Sequence, residues 1–474
     1  MSSLKSMPEE IISLIKGDKH GVETDYRDSL PVNMSGVLRP MFGAKGYMLQ
    51  QPGLTEYGQG IGIDRGGLWN ERLANHFRIS GDKLIKVNTS GSSTSLGTIS
   101  GLKQASLPYS FNTQGIVADE KFWLWDGSTL TQVTDPNIGL PIDGVWVDGY
   151  YFLTDGEYLY HTDIASETTI DPLQYATSEL SPDPTLGVGR TTDNKVIVFD
   201  RYSIEYFVNR ANENFVFSRS AGRSIKAGIV GTHCKAEVNG KWYIMGGRKK
   251  EDVAIHSLGT GSYQKVSSRE VDKLIGAYSE AELSDCILEA RTIEDYPYLI
   301  VHLPNETLLF NEKLAAAAGK ELAWSILKSD VLGDKVWRGI NGLFDPRLGQ
   351  FVYGDKRSSS LAILDDTVAT HYDELAEWEL NTPLMYLDSA SIDELEIETI
   401  AGHTVDEGAS VFVSLTYDGV THGTEHTEDY GEPSEYGKRF ILYRLGYVAN
   451  WVGIKLRGAS RSRMAFSRAK IKYG

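Results

Sequence analysis

Between residues 144 and 163 the chain reads GVWVDGYYFLTDGEYLYHTD. Asp-Gly occurs twice, at Asp148-Gly149 and Asp155-Gly156, each time between runs of aromatic and β-branched residues. Asp can bond its own backbone and Gly tolerates φ > 0, so the pair is the chemistry of a tight hairpin turn. Trp146, Tyr151, Phe152 and Tyr158 suit the faces of the strands such turns join. The arrangement recurs: KFWLWDGSTLTQVTD, KVIVFDRYSIEYFV, GKWYIMGGRKKEDVAIHSL, YLIVHLPNETLLFN and GQFVYGDKRSSSLAIL each read as strand, turn, strand. Hairpins at intervals of tens of residues are the pattern of propeller blades. With 48 Gly, 25 Tyr and 9 Trp the composition leans the same way. No WD or kelch signature is present and the repeats are too irregular to count. The expectation for residues 45–370 is an irregular β-propeller, with a β-sandwich or barrel as the alternative.

The flanks read differently. In MSSLKSMPEEIISLIKG, Ser6 and Glu9 form an S-x-x-E capping box, Pro8 suits a first helical turn and Gly17 a stop, which predicts a short helix at 7–16 within an N-terminal arm, residues 1–44. That helix packs on its own domain or docks on a neighbouring subunit. A helical insert is expected at 267–291, with Leu274, Ile275, Ala277 and Tyr278 in one helix. Ser279 and Glu282 box the start of a second that runs through Leu283 and Ile287. The insert is a contact element or packs over the propeller rim. The alanine run in NEKLAAAAGKELAW is a helix or a connecting loop. Residues 371–390 look like a boundary. Beyond it LEIETI, SVFVSLTYDG, RFILYRLGYV, WVGIKLRG and AKIKYG alternate as a small antiparallel β-sandwich-like domain, residues 371–474. The fold class is therefore all-β.

His422-Gly423-Thr424-Glu425-His426 matches H-x-x-E-H, a zinc-protease pattern that needs both His on one helical face beside the Glu. Glycines at 419, 423 and 431 and the strand-like residues before it refuse that helix, and in an extended strand the two His lie roughly 13 Å apart. SLTYDGVTHG approaches an Asp-box but lacks its Trp. YGQGIGIDRGG and GTGSYQ fit neither phosphate-loop fingerprint and read as turns and flat strands; GSSTSLG at 91–97 reads as a polar loop. Asp126, Asp148, Asp155 and Asp418 each precede a Gly and read as turn residues. Asp155, Glu157 and His161 are expected at an exposed rim, where a neighbour can meet them. Cys234 and Cys286 lack metal or redox spacing and read as buried thiols of a protein made in a reducing cytoplasm. The acids near the N-terminus, where a signal needs a basic region, make a cleavable signal unexpected, and without an apolar stretch of about 20 residues no membrane span is expected. No residue is assigned as catalytic, cofactor-binding or metal-binding.

The formal net charge is −17. A surface that grips nucleic acid is basic, and here the dense basic run is confined to RGASRSRMAFSRAKIKYG. Its Arg457, Arg461, Arg463, Arg468, Lys470 and Lys472 either meet an acidic partner or protect a solvated strand edge.

Several strings, in order, resemble one family: YRDSLPVNMSG, SIEYF at 203–207, KAGIVGTHCK at 226–235, AYSEAELSDCILEAR, YLIVHLPNETLLF and, near the end, RFILYRLGYVANWVGIKLRG. They are similar to the tail hub proteins of short-tailed bacteriophages, also called packaged DNA stabilisation proteins or tail accessory factors. The resemblance runs from about residue 25 to 470; the extreme N-terminus departs from it. It implies a β-propeller with an added β-domain and a structural, non-enzymatic role in the virion tail. It implies a homo-hexameric ring below the portal and its adaptor, helping to retain packaged DNA until ejection and offering attachment to the tail needle or plug and to tailspikes. It implies no catalytic residues and no cofactors. Six copies would bring a formal charge on the order of −100, so that genomic dsDNA passes without specific binding. The rival reading is a carbohydrate-binding or sialidase- or glycosidase-like propeller, in which two carboxylates would flank a sugar.

Overall fold

The computed structural model describes residues 9–13, 29–41, 43–220, 222–259, 261–404 and 409–474. Seven antiparallel sheets follow one another along the chain as propeller blades. Blade one spans Asp64–Asn70 to Ser93–Thr98, blade two Gln114–Ala118 to Leu130–Gln132, blade three Asp143–Val147 to Ser166–Ala176 and blade four Thr185–Arg190 to Phe217–Arg219. Blade five spans Gly228–Ile229 to Ser262–Lys265, and blade six Ile287–Ile293 to Trp324–Leu327. Blade seven takes three strands from Gly339–Asp345, Gln350–Asp355 and Ser360–Asp365, and its fourth from far upstream, Gly53–Gln59. First strands meet between blades two and three, three and four, and six and seven; Lys235–Val238 of blade five meets that of blade six; and the first strand of blade seven meets that of blade one, so that the ring closes. A closed ring leaves only short sheet edges to protect. GSSTSLG, expected as a loop, supplies the outer strand Ser93–Thr98 of blade one, paired to Lys83–Val87.

The C-terminal domain is a two-sheet sandwich. One sheet holds Glu377–Asn381, Met385–Tyr386, Ser410–Thr416, His426–Asp429 and Trp451–Ala459. The other holds Ala390–Thr399, Phe440–Val448 and Ala465–Tyr473, joined by three N-terminal strands, Glu9–Ser13, Met34–Val37 and Tyr47–Gln50. Two expectations are corrected here. The segment expected as a helix at 7–16 contributes a strand, Glu9–Ser13, antiparallel to Arg468–Lys472; Ser6 and Pro8 lie outside the described residues. The division at 44/45 does not follow the sheets, because Tyr47–Gln50 pairs with the C-terminal strand and the propeller begins at Gly53.

The basic C-terminal strand is not a solvated edge, and its charges are paired within the chain. Ala465–Tyr473 has neighbours on both sides, and Glu394, Glu396 and Glu398 stand directly opposite Lys472, Lys470 and Arg468. Arg468 Nε reaches Glu398 at 2.5 Å, Lys470 Nζ the same carboxylate at 2.6 Å, and Lys472 Nζ reaches Glu394 at 2.8 Å. Opposite charges at facing positions stabilise a sheet. Arg457 is paired with Glu425, and Arg463 donates to the carbonyls of Gln50 and Asp366.

The helices are short. α1 (Arg269–Ile275) buries Val271 and Ile275, and α2 (Glu280–Ser284) opens on the expected Ser279–Glu282 capping box and buries Leu283. α2 stops at Ser284, and Ile287 already begins blade six, where the sequence pattern had continued the helix. Their apolar residues belong to the core shared by blades five and six and the sandwich, so the insert packs inward. The alanine run forms α3 (Glu312–Ala318), capped by Asn311, whose side chain accepts from the amide of Leu314.

Propeller and sandwich are sewn together by residues 31–33. Asn33 Nδ2 donates to the carbonyls of Lys328 and Glu377, both at 2.7 Å, and its Oδ1 accepts from the amide of Lys328 at 2.9 Å. One buried side chain thus bonds a blade-six segment and a sandwich strand. Its φ of +51° lies in the left-handed region that Asn tolerates. Asn33→Ala would orphan buried backbone groups and strain that φ, so we expect a loss of about 2–3 kcal/mol in urea unfolding. We also expect faster proteolysis between propeller and sandwich; an unchanged midpoint would refute the suture.

Candidate functional site

The densest constellation of ionisable groups lies where blade seven meets blade one. Arg78 is fully buried. Its Nη1 donates to Asp64 Oδ2 at 2.8 Å, its Nη2 to the carbonyls of Asn341 (3.1 Å) and Val352 (2.7 Å), and its Nε to His76 Nε2 at 2.8 Å. That last bond makes Nε2 an acceptor, so the imidazole proton sits on Nδ1, 3.1 Å from Asp345 Oδ2. Arg347 closes on the same Asp345. A His–Asp pair is half of a nucleophile-activating triad. Here the outer nitrogen, which would take a proton from a nucleophile, is filled by an arginine, and the pair is sealed from solvent. The arrangement clamps two blades.

Other axial carboxylates do the same work. Asp143 of blade three accepts from Ser106 Oγ (2.6 Å), the Val188 amide of blade four (2.9 Å) and Lys235 Nζ of blade five (2.8 Å). Burial pushes its carboxyl up, but Lys235 and the hydrogen bonds hold it below the usual range. Glu289 of blade six accepts from the amides of Asn341 and Gly342 of blade seven, and Asn341 Nδ2 donates to Asp64 at 2.7 Å. Asn70 Nδ2 joins blade one to Gln114 of blade two at 3.0 Å. Sequence reasoning missed these residues, because their partners are supplied from other blades and no local spacing marks them.

The acids singled out from the sequence are placed as turn residues. Asp148 (φ +52°) and Gly149 (φ +95°) form a two-residue turn closed by the Val147–Tyr150 pair, the geometry of type I′. Asp155 Oδ1 accepts from the amides of Glu157 (3.0 Å) and Tyr158 (2.7 Å). Asp126 and Asp418 make the same bonds to the residues two and three ahead. His161, expected at a rim, is instead buried against Tyr150, Phe215 and Phe217. Its strand is third in blade three and its side chain faces blade four.

In H-x-x-E-H no helix forms. His422 bridges to Thr416, His426 starts a strand, and both Glu425 oxygens are taken by Arg457 at 2.6 Å. Among the described residues no group of three or more His, Cys, Asp or Glu is placed to hold a metal ion, and no helix is long and apolar enough to cross a membrane. Cys234 and Cys286 are buried free thiols, and burial pushes Cys286 up to about 12.

Comparison with known proteins agrees with this geometry. The family described as "Bacteriophage P22 Gp10, beta-propeller" matches residues 10–369, and "Bacteriophage P22 Gp10, beta-sandwich" matches residues 377–474. The chain belongs to the Gp10 family of phage tail hub proteins. The tail hub protein gp10 of Salmonella phage P22 is 26% identical over 490 residues, covering 98% of this chain and 100% of that protein. Among solved structures, virginiamycin B lyase from Staphylococcus aureus has a TM-score of 0.43 at 9% identity, covering 66% of this chain and 98% of that one. The extracellular domain of a one-component system of B. thetaiotaomicron also has 0.43, at 10% identity, over 83% of this chain; this chain spans 47% of that protein's length. As a Gp10 family member the chain has a structural role in the phage tail.

Three measurements check these assignments. Arg78→Met should cost about 3–5 kcal/mol, because it strands the buried Asp64; a loss under about 1 kcal/mol would mean the clamp is dispensable. Asp148→Asn with Asp155→Asn, and separately Glu425→Gln, should shift the unfolding free energy by no more than about 1 kcal/mol, and elemental analysis should find no stoichiometric zinc. Burial pushes His76 and His233 down to about 4 and His371 to about 3, from 6.5. The unfolded chain therefore binds protons first, and the urea midpoint should fall as pH drops from 6.5 towards 4. A flat profile across that window would contradict neutral buried imidazoles.

Proposed function

We propose that this chain forms a hexameric ring in the tail of a short-tailed phage, below the portal and its adaptor ring. There it helps to retain packaged DNA and attaches the tail needle or plug and the tailspikes. The supporting observation is the match to the Gp10 family along both propeller and sandwich, with the P22 tail hub protein covered from end to end. The chemistry of the axial residues favours a scaffold, since Asp64, His76, Asp143 and Glu289 are all committed to bonds between blades. A rigid closed ring of blades suits a part that must bear load without rearranging. The negative charge makes a poor ligand for phosphates, so dsDNA passes a ring of such chains without being held by sequence. Synthesis in the host cytoplasm accords with two free, buried thiols.

Native mass measurement of the purified chain mixed with the phage's adaptor ring tests this. Six copies per ring are expected, together with no sequence-preferring retention of a duplex oligonucleotide at physiological salt. A chain that binds neither adaptor nor virion, and instead cleaves a glycan, would overturn the proposal.

A further inference from the structure

The negative charge is concentrated in one part of the ring. Between Lys121 and Arg190 the chain has eleven Asp and Glu and no Lys or Arg. This stretch makes the end of blade two, the whole of blade three and the start of blade four. Lys235 neutralises Asp143; the other ten carboxylates have no ion pair among the described residues. The outer strand of blade three, Ser166–Ala176, leaves Leu173 77% and Tyr175 53% exposed, and Tyr158 beside it is 38% exposed. Exposed aromatics beside unpaired carboxylates are the surface chemistry of an interface with a basic partner.

A cavity of about 240 Å³ opens at this place, lined by Asn137, Asp155, Tyr158, Tyr160, Asp171 and Tyr175 among others. Tyr158 and Tyr175 meet edge to face, with ring centroids 5.4 Å apart. The phenol of Tyr160 is 4% exposed, and its hydroxyl is buried with no hydrogen-bond partner, aimed into the cavity. Gly139 packs close beside Asp155 and Tyr160. At φ +65°, a Cβ there would stand 2.8 Å from Asp155 Oδ2 and 3.5 Å from the Tyr160 hydroxyl. Asp155 spends Oδ1 on its turn and Asp171 spends Oδ1 on the Leu173 amide; the second oxygen of each accepts no hydrogen bond among the described residues. Burial and the Asp155 charge keep the Tyr160 phenol protonated.

We propose that this pocket receives an arginine side chain from a basic segment of a partner protein. A guanidinium offers five N–H donors and no acceptor, stacks on aromatic faces and bonds carboxylates in pairs. The pocket offers aromatic faces and two free carboxylate oxygens beside the buried Tyr160 phenol, with no cation among its lining residues. The chain's own basic strand does not fit the role, since Arg468, Lys470 and Lys472 are already paired with glutamates. The pocket is complete within one chain and does not rest on ring assembly.

Saturation-transfer NMR on the purified full chain tests it, with Nα-acetyl-arginine amide, the neutral isostere Nα-acetyl-citrulline amide, and methyl glucoside as probes. The arginine probe should give a signal that weakens with added salt. It should be lost in Asp155→Asn/Asp171→Asn, whose amide oxygens still serve the turns, and kept in the distant Asp418→Asn. Citrulline or glucoside signals equal to arginine's would overturn the proposal, the second in favour of a glycan site. So would an arginine signal that survives the double substitution. Failure to form a ring would leave this measurement untouched.

Discussion

A propeller exists only if its last blade meets its first, and here that contact is a buried charged seam. Arg78 of blade one reaches two carbonyls of blade seven while holding Asp64 and, through His76, Asp345. Outside it, Gly53–Gln59 hydrogen-bonds to Ser360–Asp365 as the fourth strand of blade seven. The two devices are complementary. The strand supplies many backbone bonds, each modest and tolerant of side-chain change. The arginine supplies few bonds, but breaking them leaves a buried charge without compensation. A degenerate propeller, with no repeated motif to fill each inter-blade gap, has to fix its ring with individual polar side chains, and Asp143, Glu289 and Asn341 are further instances.

The chain entering that seam also joins the two domains. Residues 31–33 bond both blade six and the sandwich, Met34–Val37 and Tyr47–Gln50 enter the sandwich sheet, and Gly53–Gln59 closes the propeller. The core is correspondingly continuous: Val32, Trp324, Ile326, Trp378 and Phe466 lie in one apolar cluster. Separate stability of propeller and sandwich is therefore not the natural expectation, because each borrows strands from the same N-terminal run.

The parts of this fold legible in the sequence were those settled locally. Asp-Gly turns were readable because an Asp bonding amides two and three residues ahead needs no distant partner, and the Ser279–Glu282 capping box was readable for the same reason. Misread segments had their outcome decided elsewhere in the chain. The Glu9 region carries a sound local helix signal, yet Glu9 faces Lys472 in a strand pair, and the sheet partner outweighs the propensity. GSSTSLG lacks strand-forming bulk but is recruited by the blade beside it. The basic C-terminus resembled a protected edge because the glutamates that neutralise it lie some seventy residues upstream, in register only once the sheet forms. His161 looked available in sequence and is buried by phenylalanines of the next blade.

Register, more than composition, sorts the charges of this protein into two kinds. In the sandwich, Arg468, Lys470 and Lys472 at alternate positions of one strand each meet a glutamate on the next, so the charges of that strand are compensated within the sheet. In blade three, the strands place acids at turns and on an outer strand whose far side pairs with no strand among the described residues, so an inconspicuous stretch without Lys or Arg keeps most of its charge. A field from unpaired charges extends about a Debye length, some 8–10 Å, and steers association, whereas paired charges largely cancel beyond contact. The surface most able to attract a partner is thus the acidic side of blade three. The conspicuous basic tail instead holds the sandwich together.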